Sequence, residues 1–130
     1  MIFLDSSYLI ALADEGDQFH NMAVELLPRL KGAKASSELS LSESVTGIAA
    51  RLGAKAGMKA FENLMYDAST RVFFANKRLF ERALPIFLRY SGRLSFADSV
   101  SVRLMYDQKI REIASFDSDF DNVENIVRLG

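Results

Sequence analysis

Short strand-like segments, three to five residues long and alternating along most of the chain with longer segments of helical hydrophobic spacing, constrain it more than any other feature. The first is Ile2 to Leu4, ending at Asp5. Such a run is too short for a helix and suits a strand buried on both faces. Further short strands are expected around Ala33 to Ser37, at Val72 to Phe74, at Ile113 to Ser115 and at Ile126 to Leu129. The intervening segments predict helices over Ser6–Ala13, from an N-cap at Asp17 to Leu30, over Ser40–Leu52 and through Ala56–Met65. Further helices are expected over Lys77–Tyr90, with Pro85 inside it, and over Ser95–Gln108, and a short helical turn is expected before the last strand. Leu41, Val45, Ile48, Ala49 and Leu52 share one side of their helix, and Gly53 stands where it should end. Strands alternating with helices predict an α/β fold, a three-layer α/β/α sandwich with a mainly parallel central sheet.

With 130 residues, 49% of them hydrophobic, the chain has enough apolar surface for one core, and a single domain over residues 1–130 is expected. No apolar run approaches the ~20 residues needed to span a bilayer, and the N-terminus lacks the basic stretch of a secretory signal. A cytoplasmic protein with no membrane partner is expected. The formal net charge is -1, so a polyanion must be met by a local basic patch. No cysteine is present, which excludes disulfides, thiolate metal sites and cysteine nucleophiles. The seven glycines form neither a phosphate-binding loop nor a dinucleotide fingerprint, and no G-x-S-x-G occurs. An aspartyl-phosphate enzyme of the haloacid-dehalogenase kind would want a second Asp at position 7, where Ser stands.

In open α/β sheets ligands bind beyond the carboxyl ends of strands, near the point where strand order reverses. Asp5 and Asp117 follow predicted strands, while Glu43 and Asp98 lie near predicted helix starts, so all four are expected at one edge. An all-oxygen donor set of this kind suits Mg²⁺ or Mn²⁺, which need neither His nor Cys. Two carboxylates ~5 Å apart repel by roughly 3 kcal/mol at an effective dielectric of ~20, so a converging cluster requires cations or protons. A second reading of the same residues stands beside this one. Ser40-x-x-Glu43 and Ser95-x-x-Asp98 both fit capping boxes, Asp5 fits an N-cap, and Asp117 with Asp119 fits an Asx turn. On that reading the chain is a non-catalytic interaction domain whose acids are helix caps.

The order of four motifs separates the two readings. Ile2-Phe3-Leu4-Asp5-Ser6-Ser7, Leu41-Ser42-Glu43-Ser44-Val45, Leu94-Ser95-Phe96-Ala97-Asp98 and Ile113-Ala114-Ser115-Phe116-Asp117-Ser118-Asp119-Phe120 together resemble the PIN-domain proteins. The resemblance is to the VapC-type toxin ribonucleases of toxin-antitoxin pairs in particular. It implies a metal-dependent endoribonuclease in which Asp5, Glu43, Asp98 and Asp117 hold Mg²⁺ or Mn²⁺ and act on an RNA phosphodiester. It also implies Ser7 and Ser115 as polar supports, Asp119 as a further acid, a small antitoxin partner and a homodimer. Ser115 stands where the family commonly has Thr and retains the hydroxyl. An RNA-processing PIN protein without an antitoxin is the related alternative.

Between Ala68 and Ala97 the cations Arg71, Lys77, Arg78, Arg82, Arg89 and Arg93 face one acid, Glu81. Lys77, Arg78 and Arg82 are the candidates there for steering RNA or holding a partner, because phosphate contacts need local charge. A solvated helix face is the competing explanation. The single histidine, His20, is expected to be structural, since a lone His with no second His or Cys makes a poor metal site.

Overall fold

A computed structural model describes all 130 residues. Five strands, β1 (Ile2–Leu4), β2 (Lys34–Ser37), β3 (Thr70–Phe73), β4 (Glu112–Ala114) and β5 (Val127–Leu129), form one parallel sheet in the order β3-β2-β1-β4-β5. Six α-helices accompany them: α1 (Ser6–Ala13), α2 (His20–Leu26), α3 (Glu38–Leu52), α4 (Ala54–Met65), α5 (Lys77–Arg89) and α6 (Phe96–Asp107). The expected three-layer α/β/α architecture is therefore the observed one. No helix is long and apolar enough to cross a membrane.

The strand alternation divides the core in two. Phe3 lies beside Ala35 and Ile113 in the ladder, and these three join Ile86, Val102 and Met105 beneath α5 and α6. Leu4 and Ala114, the next pair along, point to the opposite face and pack with Tyr8, Ala11, Leu41 and Leu64 of α1, α3 and α4. Successive residues of a strand face opposite sides, so two adjacent apolar side chains in β1 feed two cores. β1 is central because the chain builds β2 and β3 outward on one side, then crosses to place β4 and β5 on the other. The order of strands thus reverses at the β1–β4 boundary.

Several boundaries move from their predicted positions, each for a local reason. The helix expected from Asp17 to Leu30 begins at His20, because Asp17 instead accepts the Phe19 N–H at 2.8 Å in a tight turn. It ends at Leu26, and Pro28 sits in a 3₁₀ turn over Leu27–Leu30. α3 begins at Glu38 rather than Ser40, since Ser37 is the residue whose side chain caps it, accepting from the Ser40 N–H at 3.1 Å. β3 starts two residues early, where Thr70 pairs with Lys34 in the parallel ladder. Pro85 leaves α5 continuous; it is exposed, so the carbonyl it orphans one turn earlier reaches water. His20 is structural as expected: its Nδ1 meets the Ala11 carbonyl oxygen at 2.8 Å and ties α2 to α1.

Candidate active site

The carboxyl ends of β1 and β4 are adjacent, and the residues following them interlock. Asp5 continues the ladder by donating its N–H to the Ala114 carbonyl at 3.1 Å, then turns the chain into α1. Its side chain makes no cap bond to α1. Instead, Asp5 Oδ2 accepts two hydroxyl protons, from Ser7 at 2.7 Å and from Ser115 at 2.8 Å. The two serine oxygens lie 3.1 Å apart. Ser7 Oγ also accepts the Phe116 N–H at 3.0 Å, and Ser115 Oγ the Asp117 N–H at 3.0 Å. Asp5 is 5% exposed and Ser115 fully buried. Both hydroxyls converge on Oδ2, so Oδ1 takes no protein hydrogen bond and remains open, since no buried side-chain oxygen lacks a partner.

Glu43 comes from the second turn of α3, not from its first, so the capping box predicted at Ser40-x-x-Glu43 does not form. Its Oε2 accepts a hydrogen bond from Ser6 Oγ at 3.0 Å, which draws α3 toward the start of α1. Sequence reasoning passed over Ser6, whose one signal was its place between Asp5 and Ser7. Asp98 sits in the first turn of α6, where its N–H donates to the N-cap Ser95 Oγ at 3.0 Å. Asp117 caps the 3₁₀ turn at Ser118–Asn122, its Oδ1 accepting the Asp119 N–H at 2.9 Å, so the Asx turn expected there is present.

Electrostatics reports how these groups share one space. The Asp98 carboxyl is pushed up to about 7, first by burial and then by the negative charges of Asp5, Asp117 and Glu43. Asp119 is raised in turn, chiefly by Asp117. Asp98 therefore feels all three of the other acids singled out in the sequence. As the side chains lie, no three of them stand close enough together to grip a metal ion. The donor set itself, all carboxylate and hydroxyl oxygen with Asp5 Oδ1 unengaged, fits a hard divalent cation.

Two clefts border this edge. One, of about 380 Å³, is lined by Ser6, Ser7 and Asp117 together with Phe19, Phe116 and Arg51. The Phe19 and Phe116 rings stack at 4.8 Å, and Arg51 is held by Asp17 at 2.6 Å and Asp14 at 3.2 Å. The other, of about 230 Å³, lies between the α5–α6 connection and the turn carrying Asp119. Arg78 and Arg82 line a third cleft, in which Arg82 is bonded to both oxygens of Asp107 at 2.7 Å. Lys77 opens α5, and neither it nor Arg78 or Arg82 lines the two clefts beside the acids. A more apolar cavity of about 360 Å³ between α1, α3 and α4 contains none of the four acids.

The family model described as PIN domain matches residues 2–126. The chain belongs to the PIN-domain family. Among solved structures it is similar to the Mycobacterium tuberculosis toxin VapC20, a sarcin-ricin loop cleaving toxin, with 29% identity, a TM-score of 0.85 and 93% of each chain covered. It also shares its fold with a toxin-antitoxin complex from Klebsiella pneumoniae, at 16% identity and a TM-score of 0.74, covering 98% of this chain and 96% of that one. No curated protein sequence matches it. Within the PIN family its likeness is thus to VapC-type proteins, as the four motifs suggested.

Proposed function

We propose that this chain is a single-domain, divalent-metal-dependent endoribonuclease and the toxin of a toxin-antitoxin pair, with Asp5, Glu43, Asp98 and Asp117 as its metal-binding carboxylates. The observation that supports the reading is the raised Asp98 carboxyl, which registers burial and the charges of Asp5, Asp117 and Glu43 at the reversal point of a PIN-family sheet. Ser7 and Ser115 are the polar supports. By occupying Oδ2 they fix the Asp5 carboxylate and aim its free oxygen out of the core. Ser6 does the same for Glu43, and Asp119 lies on the rim as a further acid.

When bound, Mg²⁺ or Mn²⁺ would acidify a water for in-line attack and offset charge on the leaving oxygen. The protein's own part is orientation. Three of the four acids lead out of a strand end or sit at a helix start, positions whose backbone is fixed by the sheet ladder or by a cap, so the donors are placed before substrate arrives. The separate-caps reading retains support at Asp117 and at Asp98, whose N–H meets the N-cap Ser95, but not at Asp5, which makes no cap bond, or at Glu43, which lies beyond the first turn.

The similarity to a toxin-antitoxin complex supports a small antitoxin as partner, and we extend the reading to a cytoplasmic homodimer. The test is incubation of the purified chain and its Asp98→Asn variant with single-stranded and structured RNAs, a sarcin-ricin hairpin among them, in Mn²⁺ and in EDTA. Cleavage is expected only with the metal and with Asp98. Cleavage that persists in EDTA or in the variant refutes the proposal.

A further inference from the structure

We propose that the cleft between the α5–α6 connection and the 3₁₀ turn after β4 seats a backbone phosphate of the RNA strand, with Arg93 as its ligand. The inference rests on the ribonuclease reading and adds to it a place for the strand beside the acids. Both walls of the cleft are continuous with the segments that carry those acids. On one side Arg93 and Leu94 lead directly into Ser95, the cap of α6, three residues before Asp98. On the other, Asp119 and Asn122 belong to the turn that Asp117 caps, and the Asp119 N–H is bonded to Asp117 Oδ1 at 2.9 Å. A strand lying across the acids therefore runs beside this cleft.

The volume, about 230 Å³, is below the range of pockets that enclose a whole small molecule, roughly 300 to 1,000 Å³. It suits one segment of a longer chain. Of its two arginines, Arg89 is bound to Glu124 at 2.7 Å, whereas Arg93 is exposed and makes no ion pair. Its guanidinium therefore retains its full set of donors, in a fork that matches two phosphate oxygens. The backbone presents it in a defined place. Ser91 (φ 53) and Gly92 (φ 75) form a left-handed turn, and the Arg93 N–H closes it on the Tyr90 carbonyl at 2.9 Å. Tyr90 is pinned in turn, its hydroxyl accepting the Glu124 N–H at 3.0 Å. Asp119, the one acid in the lining, repels a phosphate and so favours the Arg93 side of the cleft. In a chain of net charge -1, an unpaired arginine next to the acids is the kind of local charge RNA binding requires.

Binding rather than cleavage tests this. Fluorescence anisotropy with a labelled single-stranded RNA is followed across a salt series in an Asp98→Asn background, where cleavage is expected to be silent. Arg93→Gln should weaken binding about three- to tenfold and lower the slope of log affinity against log salt by about 0.7, one phosphate contact on a single strand. Arg93→Lys should retain the slope and lose part of the affinity. Lys55→Gln, which removes an exposed charge on α4, should leave both unchanged, and urea midpoints verify that each variant folds. An Arg93→Gln protein that binds with the parent's affinity and slope overturns the assignment, as does an equal effect of Lys55→Gln. Absence of any RNA binding by the parent overturns the ribonuclease reading first, and the phosphate site with it.

Discussion

Replacing Asp98 by Asn should stabilise the metal-free protein at neutral and alkaline pH, although it removes an acid from the first turn of a helix. The carboxyl titrates at about 7 in the fold against an ordinary value of 3.8, the rise coming first from burial and then from Asp5, Asp117 and Glu43. The folded state therefore holds the proton more tightly than the unfolded chain does, and stability falls as pH rises between these two values, then levels off. Taken in full, the rise corresponds to about 4 kcal/mol, and screening by solvent at a partly open group reduces this to about 2. Against it stands the favourable interaction of an anion with the α6 N-terminus, about 0.5 kcal/mol. The net gain for Asp98→Asn above neutrality is then about 1.5 kcal/mol, a rise of about 6 °C in melting temperature for a domain of this size. Urea unfolding of both proteins in EDTA from acid to alkaline pH measures it, and the difference should close toward pH 4, where the native Asp98 is neutral. Mn²⁺ at 100 times its dissociation constant should stabilise the parent by about 2.7 kcal/mol and reverse the order. A variant less stable than the parent in EDTA at alkaline pH, or a difference that ignores pH, refutes the claim that four acids crowd one space.

Ser115→Ala removes a fully buried hydroxyl that donates to Asp5 and accepts from the Asp117 N–H, and should cost about 2 kcal/mol in urea unfolding. Mn²⁺ affinity, read from the metal-induced stability shift, should fall roughly 10- to 100-fold as Asp5 loses its orientation. Gly57→Ala places a Cβ 2.8 Å from the Val45 carbonyl oxygen and 3.0 Å from the Ala49 Cβ, so α3 and α4 must part. The cost of about 1 to 3 kcal/mol should outweigh the ~1 kcal/mol that alanine contributes to a helix. Gly47→Ala meets only the movable end of Ile10, at 2.7 Å, and its urea midpoint should change little.

The fold was legible because the first strand is apolar on both faces, short strand-like segments alternate with longer ones, and the helices carry apolar residues at helical spacing, and that alternation survives any detail of packing. What the sequence could not supply was the position of competing caps. Asp17 and Ser40 both precede helical patterns and both have capping side chains, yet neither starts a helix. Asp17 is engaged by the Phe19 N–H and by Arg51, which comes from α3, 34 residues away in sequence. Ser37 precedes Ser40 as the cap because the β2 ladder holds it in extended backbone just where the chain must turn. Such choices depend on partners distant in sequence, and no local pattern encodes them.

The acids illustrate the same division within a single site. Their residue types and order were visible, and so was the serine pair, but the sequence did not show which acids serve as caps. Asp117 is a cap and also raises Asp98, so the two roles are compatible on one side chain. Asp5 occupies an N-cap position with extended backbone and nevertheless makes no bond to the α1 backbone; its carboxylate instead takes two hydroxyls, one from Ser7 in the first turn of α1 and one 110 residues distant. A cap needs an oxygen directed at a backbone N–H one turn ahead; a donor site needs an oxygen directed at open space. Ser7 and Ser115 decide between these at Asp5 by claiming Oδ2, which leaves Oδ1 free at the sheet edge. On the proposed function the serines are thus the residues that leave a donor oxygen at this helix start, which is why Ser115→Ala is expected to affect metal response as well as stability.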